Sequence, residues 1–307
     1  MTDMTPTHSP PPLSAVPVPE VTRPIPRRHP WRWVGGALLV LCTAAFIRLL
    51  IFNENMQWHV VANYLFNPEI LWGLVRTLVL TGLAMVIGIF VGMLLAIMRL
   101  SDNAVFQAAS WGWIWFFRGV PPLVQLIFWY NLALLIPRVS IGLPFGPELI
   151  SWDTNVLITP FSAAILGLSL TESAYAAEMI RAGIQAIPSG QLEAAASLGM
   201  TRPQALRRIV LPQALRILIP PIGNDTISML KFTSLVSVLA LPDLLYSAQM
   251  IYSRTYQTIP LLIVVTLWYL VLTTVLTLLE HWIEHRLAIG KRTQLKVARA
   301  AWWRLRS

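Results

Sequence analysis

Ile187 to Pro212 reads I-P-S-G-Q-L-E-A-A-A-S-L-G-M-T-R-P-Q-A-L-R-R-I-V-L-P, and it is the longest internal stretch that is not membrane-like. Its punctuation predicts two short helices joined by a tight corner. Pro188 and Ser189 open the first, and good helix formers fill Gln191 to Leu198. Gly199 stands where a residue of left-handed conformation ends a helix. Thr201-Arg202-Pro203-Gln204 then has the composition of a capping box, with Pro tolerated in the first turn. Arg207 and Arg208 follow, and Leu211-Pro212 returns the chain to apolar sequence.

That return sets the class of the whole molecule. The 307 residues are 56% hydrophobic and only 12% charged, and the mean hydropathy is positive. A soluble domain carries about twice that charge. Several apolar runs reach the roughly 20 residues needed to span a bilayer as helix. The expectation is an all-α polytopic membrane protein. Cys42 is the lone cysteine and lies inside an apolar run, so no disulfide framework and no cysteine-based metal site are available. The net charge of +9 calls for no nucleic acid, because its distribution follows membrane orientation instead.

Outward from the central stretch, spans are expected at about 155–182 and 215–241 on its two sides, then at 259–287. Further back, runs at about 33–52, 69–100 and 105–136 complete about six transmembrane helices. Residues 1–32 are basic and Pro-rich, a composition that cannot build a core and reads as a disordered cytoplasmic tail. No convincing cleavage site follows the run at 33–53, which is therefore read as an uncleaved anchor. Residues 137–154 read as an outer loop with a short hairpin or interfacial turn. Residues 287–307 form a basic cytoplasmic tail whose Trp302 and Trp303 suit an interfacial amphipathic helix. Arg23, Arg27, Arg28 and Arg32 lie in the first tail, and seven Lys or Arg lie from Arg286 onward. Arg181, Arg202, Arg207, Arg208 and Arg216 surround the central stretch. An excess of positive charge marks the cytoplasmic side, so both termini and the central stretch are placed inside. In the second span Ala84, Gly88, Gly92 and Ala96 recur every four residues, a ridge where another helix can pack closely. Gly119 and Pro121-Pro122 weaken the third span next to Arg118.

The central residues carry a resemblance. Glu193-Ala194-Ala195, then Gly199, then Ile209-x-Leu211-Pro212, are similar to the EAA loop of ABC-importer permeases. Ala174-Tyr175-x-Ala177-Glu178-x-x-Arg181-Ala182-Gly183-Ile184 precedes it, and Gln213-Ala214-Leu215-Arg216, Gly223-Asn224 and Leu230-Lys231-x-Thr233-Ser234-Leu235-Val236-Ser237 follow. The combination resembles the polar amino-acid uptake permeases of the histidine/glutamine type over about residues 71–286, which makes 33–53 an extra N-terminal helix. Val120 departs from the Arg-Gly-Thr-Pro of that family, and Phe232 stands where it usually has Asp or Asn. The resemblance implies a type I ABC-importer permease fold and a coupling loop at 187–212. Glu193, Ala194, Ala195, Gly199, Ile209, Leu211 and Pro212 would couple to the ATPase. It further implies a bacterial inner-membrane permease subunit of an ATP-driven importer of polar amino acids. Its implied partners are ABC ATPase subunits, a second permease subunit, an extracytoplasmic amino-acid-binding protein and membrane lipid.

The residues themselves exclude some chemistry. The chain has three Lys, and only Gly290-Lys291 resembles the end of a phosphate-binding loop. Arg292 follows it, and His285 stands where the first Gly is required, so ATP hydrolysis belongs to a partner and the chain is no enzyme. His281-Trp282-Ile283-Glu284-His285 matches the inverted zinc-protease pattern, but no acid, His or Cys follows to supply a third ligand. No metal and no cofactor are expected. Ionisable and polar groups inside apolar spans mark a substrate path. Asn224, Ser228 and Lys231 share one helix face, with Asp225 beside them. Thr171, Tyr175 and Glu178 share another, with Glu172 nearby, and Thr233 and Ser234 follow Lys231. Such a set supplies donors for a carboxylate and acceptors for an ammonium. Interhelical hydrogen bonding or an ion pair of Lys231 with Glu178 or Asp225 is the plainer alternative. A self-sufficient secondary transporter or channel is the rival function, and a membrane metalloprotease a weaker one.

Overall fold

The computed structural model describes residues 30–142 and 148–304. The proline-rich tail up to residue 29 lies outside the described residues, as do the side chains of the C-terminal tail. The first of two parts contains one helix, α1 (Pro30–Phe52), whose 20-residue window Trp33–Phe52 is long and apolar enough to cross a bilayer. The second begins at Glu54.

Side-chain caps set the helix starts in the second part. After the short α2 (Trp58–Leu65), Asn67 accepts the Glu69 N–H at 2.8 Å, and Pro68 opens α3 (Pro68–Arg99). At 32 residues, α3 is about 48 Å long, more than the roughly 30 Å of hydrocarbon. Asn103 caps α4 (Ala104–Gly119) in the same way, through the Val105 N–H at 2.8 Å. Next come α5 (Pro122–Tyr130) and an antiparallel hairpin of β1 (Arg138–Gly142) and β2 (Glu148–Asp153), in register Ser140 to Ser151. The hairpin fills the loop expected at 137–154. One turn, α6 (Thr154–Leu157), leads to α7 (Pro160–Gln185), which starts at a Thr159–Ser162 capping box. The central stretch contributes α8 (Ser189–Ser197) and α9 (Arg202–Ala205). It runs without interruption through a π-turn at Leu206–Val210 into α10 (Leu211–Phe232). A 3-10 turn, Thr233–Leu239, precedes α11 (Leu244–Thr255), and α12 (Thr258–Arg304) ends the described chain.

The core forms where small residues let helices touch. Ala84, Gly88, Gly92 and Ala96 are all buried on α3, and α7 lies on this ridge. A Cβ on Gly92 would stand 2.7 Å from the Ala176 Cβ and 2.9 Å from the Ser173 carbonyl oxygen. Leu80, Leu126, Leu168, Met229 and Val236 join α3, α5, α7 and α10 in the central cluster. A second cluster packs α2, α3, α11 and α12 around Ile70, Leu244, Ala248 and Leu261. There the Trp268 indole donates to the Leu65 carbonyl at 2.8 Å.

The span boundaries need correction in three places. First, residues 105–136 do not form one helix. Val120, extended at φ −92° and ψ 128°, precedes a proline and separates α4 from α5. The Gln125 amide donates to the freed carbonyls of Phe117 and Val120, at 3.1 and 2.9 Å. Second, the helix expected at 215–241 starts earlier and ends at Phe232. A π-turn joins it to α9: the Leu211 N–H bonds to Leu206 rather than to Arg207. Pro212, which follows, has no N–H to offer the Arg208 carbonyl. Third, α11 was not foreseen, and it is bent 44° from the helix before it. Among the described residues, three helices are long and apolar enough to cross a membrane alone, or four if the bent pair counts as one span. The 26-residue α7 is long enough, but Ser169, Thr171, Glu172 and Ser173 make it more polar, and these residues are buried against neighbouring helices.

Candidate functional site: a cavity pair on α7 and the coupling segment

Two cavities share α7. The smaller, of about 220 Å³, lies between Thr171, Glu172 and Tyr175 on α7 and Asp225, Ser228 and Phe232 on α10. The larger, of about 510 Å³, is lined by Arg99, Trp111, Trp115, Arg118, Tyr175 and Glu178. Tyr175 belongs to both.

Glu172 is the most constrained residue of the pair. It is 4% exposed, and among the described residues its Oε1 has no hydrogen-bond partner. Gly88 makes room for it, since a Cβ there would lie 2.5 Å from the Glu172 Cβ. Thr171 beside it donates to the Gly167 carbonyl at 2.8 Å and approaches the Gln125 amide oxygen at 3.1 Å. Gln125 thus links the α4–α5 break to the cavity wall. Trp113 on α4 donates to Ser173 at 3.0 Å from the other side. The α7 wall is therefore held in place by hydrogen bonds from α4 and α5.

The expected pathway residues divide. Thr171, Glu172, Tyr175, Asp225 and Ser228 come together around the smaller cavity, with Glu178 on the larger. Asn224 and Lys231 are exposed and line neither. Thr233 and Ser234 turn their hydroxyls to the Leu230 and Lys231 carbonyls, both at 2.7 Å, and serve the end of α10. The pairing of Lys231 with Glu178 is not formed: both Glu178 carboxylate oxygens accept from Arg181, one turn along, through the Nε–Nη2 edge of its guanidinium. Arg118 and Gln125 went unread as site residues. Their signal was present, a charge and an amide inside an otherwise apolar span flanking Gly119-Val120-Pro121. Phe232, noted as a departure from the family pattern, forms part of the smaller cavity wall.

The coupling segment folds largely as its residues dictate. Gly199 has φ +73°, and the N–H groups of Gly199 and Met200 bond to the Ala196 and Ala195 carbonyls at 2.9 and 3.0 Å. This crossed pair closes the end of α8. Gln204 reaches back to the Thr201 N–H at 3.0 Å. Glu193 and Ala194 are exposed, but Ala195 is 1% exposed and packs inward. Leu192 and Leu198, at the start and end of α8, are large apolar side chains left outside, at 46% and 82% exposure, as are Leu206 and Leu211 further along. Ile209 is half-buried, Leu211 and Pro212 are exposed, and Gln213 donates to the Ile209 carbonyl at 2.9 Å. At the other end of the chain, the His281 ring lies 2.8 Å from the Thr277 carbonyl, and among the described residues no three metal-ligating side chains converge.

Comparisons with known proteins place this geometry. The family described as binding-protein-dependent transport system inner membrane component matches residues 71–289. The arginine transport system permease protein of Corynebacterium glutamicum is 41% identical over 277 residues, covering 90% of this chain and 86% of the relative. The L-cystine transport system permease protein of Bacillus subtilis is 35% identical, covering 78% and 94%. The crystal structure of an amino acid ABC transporter with histidines contains a chain of 36% identity and TM-score 0.62, covering 72% of this chain and 95% of that one.

Proposed function

We infer the function from one premise: the chain belongs to the family of binding-protein-dependent transport system inner membrane components. It is the permease subunit of an amino-acid ABC importer, a bacterial membrane protein and a transport subunit rather than an enzyme. Importers of this family work with ATPase subunits and a binding protein.

The finer reading goes further. Polar amino acids pass between α7 and α10, through the smaller cavity. The observation that carries this is Glu172: a carboxyl oxygen buried in a membrane helix, without a partner, beside a cavity of about 220 Å³. An unpaired buried acid is costly, and a cationic group on the cargo would satisfy it. Asn224 and Lys231, exposed on α10 outside both cavities, are available for contact with a second permease subunit. On the cytoplasmic side α8 docks on the ATPase through Glu193, Ala194, Leu192 and Leu198, while Ala195 and Gly199 hold its shape. Movement of α8 reaches the cavity because α9, the π-turn and α10 form one continuous rod. Alternate opening of the α7–α10 cavity to the two sides completes a transport cycle.

The test is purification of the tagged permease with whatever ATPase accompanies it, and reconstitution with its binding protein. Uptake of L-arginine, L-glutamine and L-cystine is then measured with and without vanadate. Vanadate-sensitive uptake of at least one, reduced by Glu172→Gln at normal membrane abundance, is expected. Absence of an accompanying ATPase, or uptake indifferent to vanadate, refutes the importer reading. Normal uptake by Glu172→Gln refutes the path. Reporter fusions at Thr5 and Ser307 should both report a cytoplasmic location, and an external signal from either would overturn the proposed orientation.

A further inference from the structure

We propose that Arg118 receives the carboxylate of the transported amino acid, so that cargo is gripped on both sides of Tyr175. The proposal rests on the transport path argued above. Arg118 sits on the last turn of α4, inside the expected membrane span, and its side chain is exposed to the larger cavity. A guanidinium at that depth needs an anion or water. The nearby carboxylate is already occupied, because Glu178 is bound by Arg181. Among the described residues no acid lies within ion-pair distance of Arg118. It is the Tyr175 ring that holds it, 5.2 Å from the guanidinium carbon. Among the described residues no hydrogen bond engages the Arg118 N–H donors, and a guanidinium held by a ring with its donors free is suited to a bidentate carboxylate.

The backbone at this position is equally prepared. Arg118 lies between the two carbonyls that Gln125 clamps, Phe117 and Val120, and Gln125 in turn meets Thr171 on the α7 wall. The break in α4–α5 is thus tied to the residue next to Glu172. Tyr175 lines both cavities. A zwitterion lying across it presents its carboxylate to Arg118 and its cationic group to Glu172 and Asp225. Arg99 lines the larger cavity too, but among the described residues no ring lies against its guanidinium. Lys231, the cation that the sequence suggests for this role, lines neither cavity.

The experiment measures equilibrium binding to the purified permease–ATPase complex without binding protein. The probes are the amino acid of the three-member panel that is imported and its primary amide, which lacks the carboxylate charge. Wild type should prefer the acid by roughly tenfold or more, the scale of a charge-assisted bidentate pair. Arg118→Gln should lose that preference while binding the amide as wild type does. Unchanged preference in Arg118→Gln overturns the proposal. If Arg118→Gln also loses the amide, Arg118→Lys decides: weaker acid binding with normal amide binding sustains the proposal, and any other result overturns it. Glu172→Gln separates the two levels. If it weakens both probes while Arg118→Gln changes neither, the path stands and the role of Arg118 falls. If neither variant alters acid binding, or none of the three amino acids is imported, the path falls and the proposal with it.

Discussion

Gly92→Ala tests the contact on which the site geometry depends. Its added Cβ would meet the Ala176 Cβ at 2.7 Å, the Ala177 nitrogen at 2.9 Å and the Ser173 oxygen at 2.9 Å. Two of these atoms are backbone, so no side-chain rotation relieves the clash. Carbon atoms rest about 3.5–4.0 Å apart, so α7 must retreat from α3 by about 1 Å. Overpacking of this kind costs about 1–3 kcal/mol, and unyielding backbone puts Gly92→Ala toward the upper end. Replacing a helix glycine by alanine also returns about 1 kcal/mol. Gly82→Ala, on the same helix, has nothing within 4 Å of its new Cβ and receives that gain alone. The propensity term cancels between the two variants, leaving the clash as their difference. At roughly 2–4 °C per kcal/mol the gap in melting temperature should reach about 10 °C, Gly82→Ala being the more stable. Thermal unfolding of the detergent-purified proteins, followed by size-exclusion fluorescence, measures it. Gly92→Ala should also lose uptake, because α7 carries Thr171, Glu172 and Tyr175. Equal melting temperatures would refute the close α3–α7 approach and the positioning of Glu172 derived from it.

Gly199→Val should uncouple ATP hydrolysis from uptake at near-normal abundance, because φ +73° costs a β-branched residue at least about 1–2 kcal/mol; coupled ATPase activity and uptake at wild-type ratio would contradict this. Gln125→Leu should lower stability by about 1–3 kcal/mol per stranded carbonyl, at Phe117 and Val120, and thermal unfolding of the purified variant checks it. Lys231→Met should leave membrane abundance within about 0.5 kcal/mol of wild type, as expected for an exposed side chain. A loss of abundance that Glu178→Gln then rescues would show a Lys231–Glu178 pair and contradict the Glu178–Arg181 bond.

Legibility followed the range of the interaction. Gly199 was readable because a left-handed corner is a local demand that one residue type meets best. The ridge of Ala84, Gly88, Gly92 and Ala96 was readable as a face, since a period of four on a helix names a side, yet it names no neighbour. That Gly88 leaves room for the buried Glu172 is a fact of α7, 84 residues away in sequence. The same limit explains the pathway residues. Helical spacing put Asn224, Ser228 and Lys231 on one side, but the cavity lies toward Asp225, Ser228 and Phe232, a face rotated by roughly 70° from the one expected. Thr233 and Ser234 looked like site residues and instead satisfy carbonyls where α10 tightens to a 3-10 turn. The break at Val120 was signalled by Gly and Pro. Its compensation by Gln125 was not, because a side chain five residues along accepts the role only once the helix has broken.

The π-turn at Leu206–Val210 bears on how force reaches the site. A helix broken by a loop would absorb motion of α8, whereas this segment stays helical from Arg202 to Phe232 through one widened turn, with donors missing at Pro212, Pro220 and Pro221. From Thr201 to Asp225 the rod spans about 36 Å at 1.5 Å per residue, enough to cross most of a bilayer. Its base is fixed by the Thr201–Gln204 cap, and its middle is held close to α7, where a Cβ on Gly183 would lie 2.6 Å from Leu218. On the proposed coupling, α10 turns about this close approach, so that displacement of α8 in one direction would move Asp225 and Ser228 in the other, relative to the α7 wall that hydrogen bonds tie to α4 and α5. Pro220 and Pro221 lie just beyond the pivot, where missing N–H donors soften the helix on the cavity side. On that proposal, stiffness below the pivot would carry displacement of α8 to the cavity, and compliance above it would let the wall adapt to the cargo.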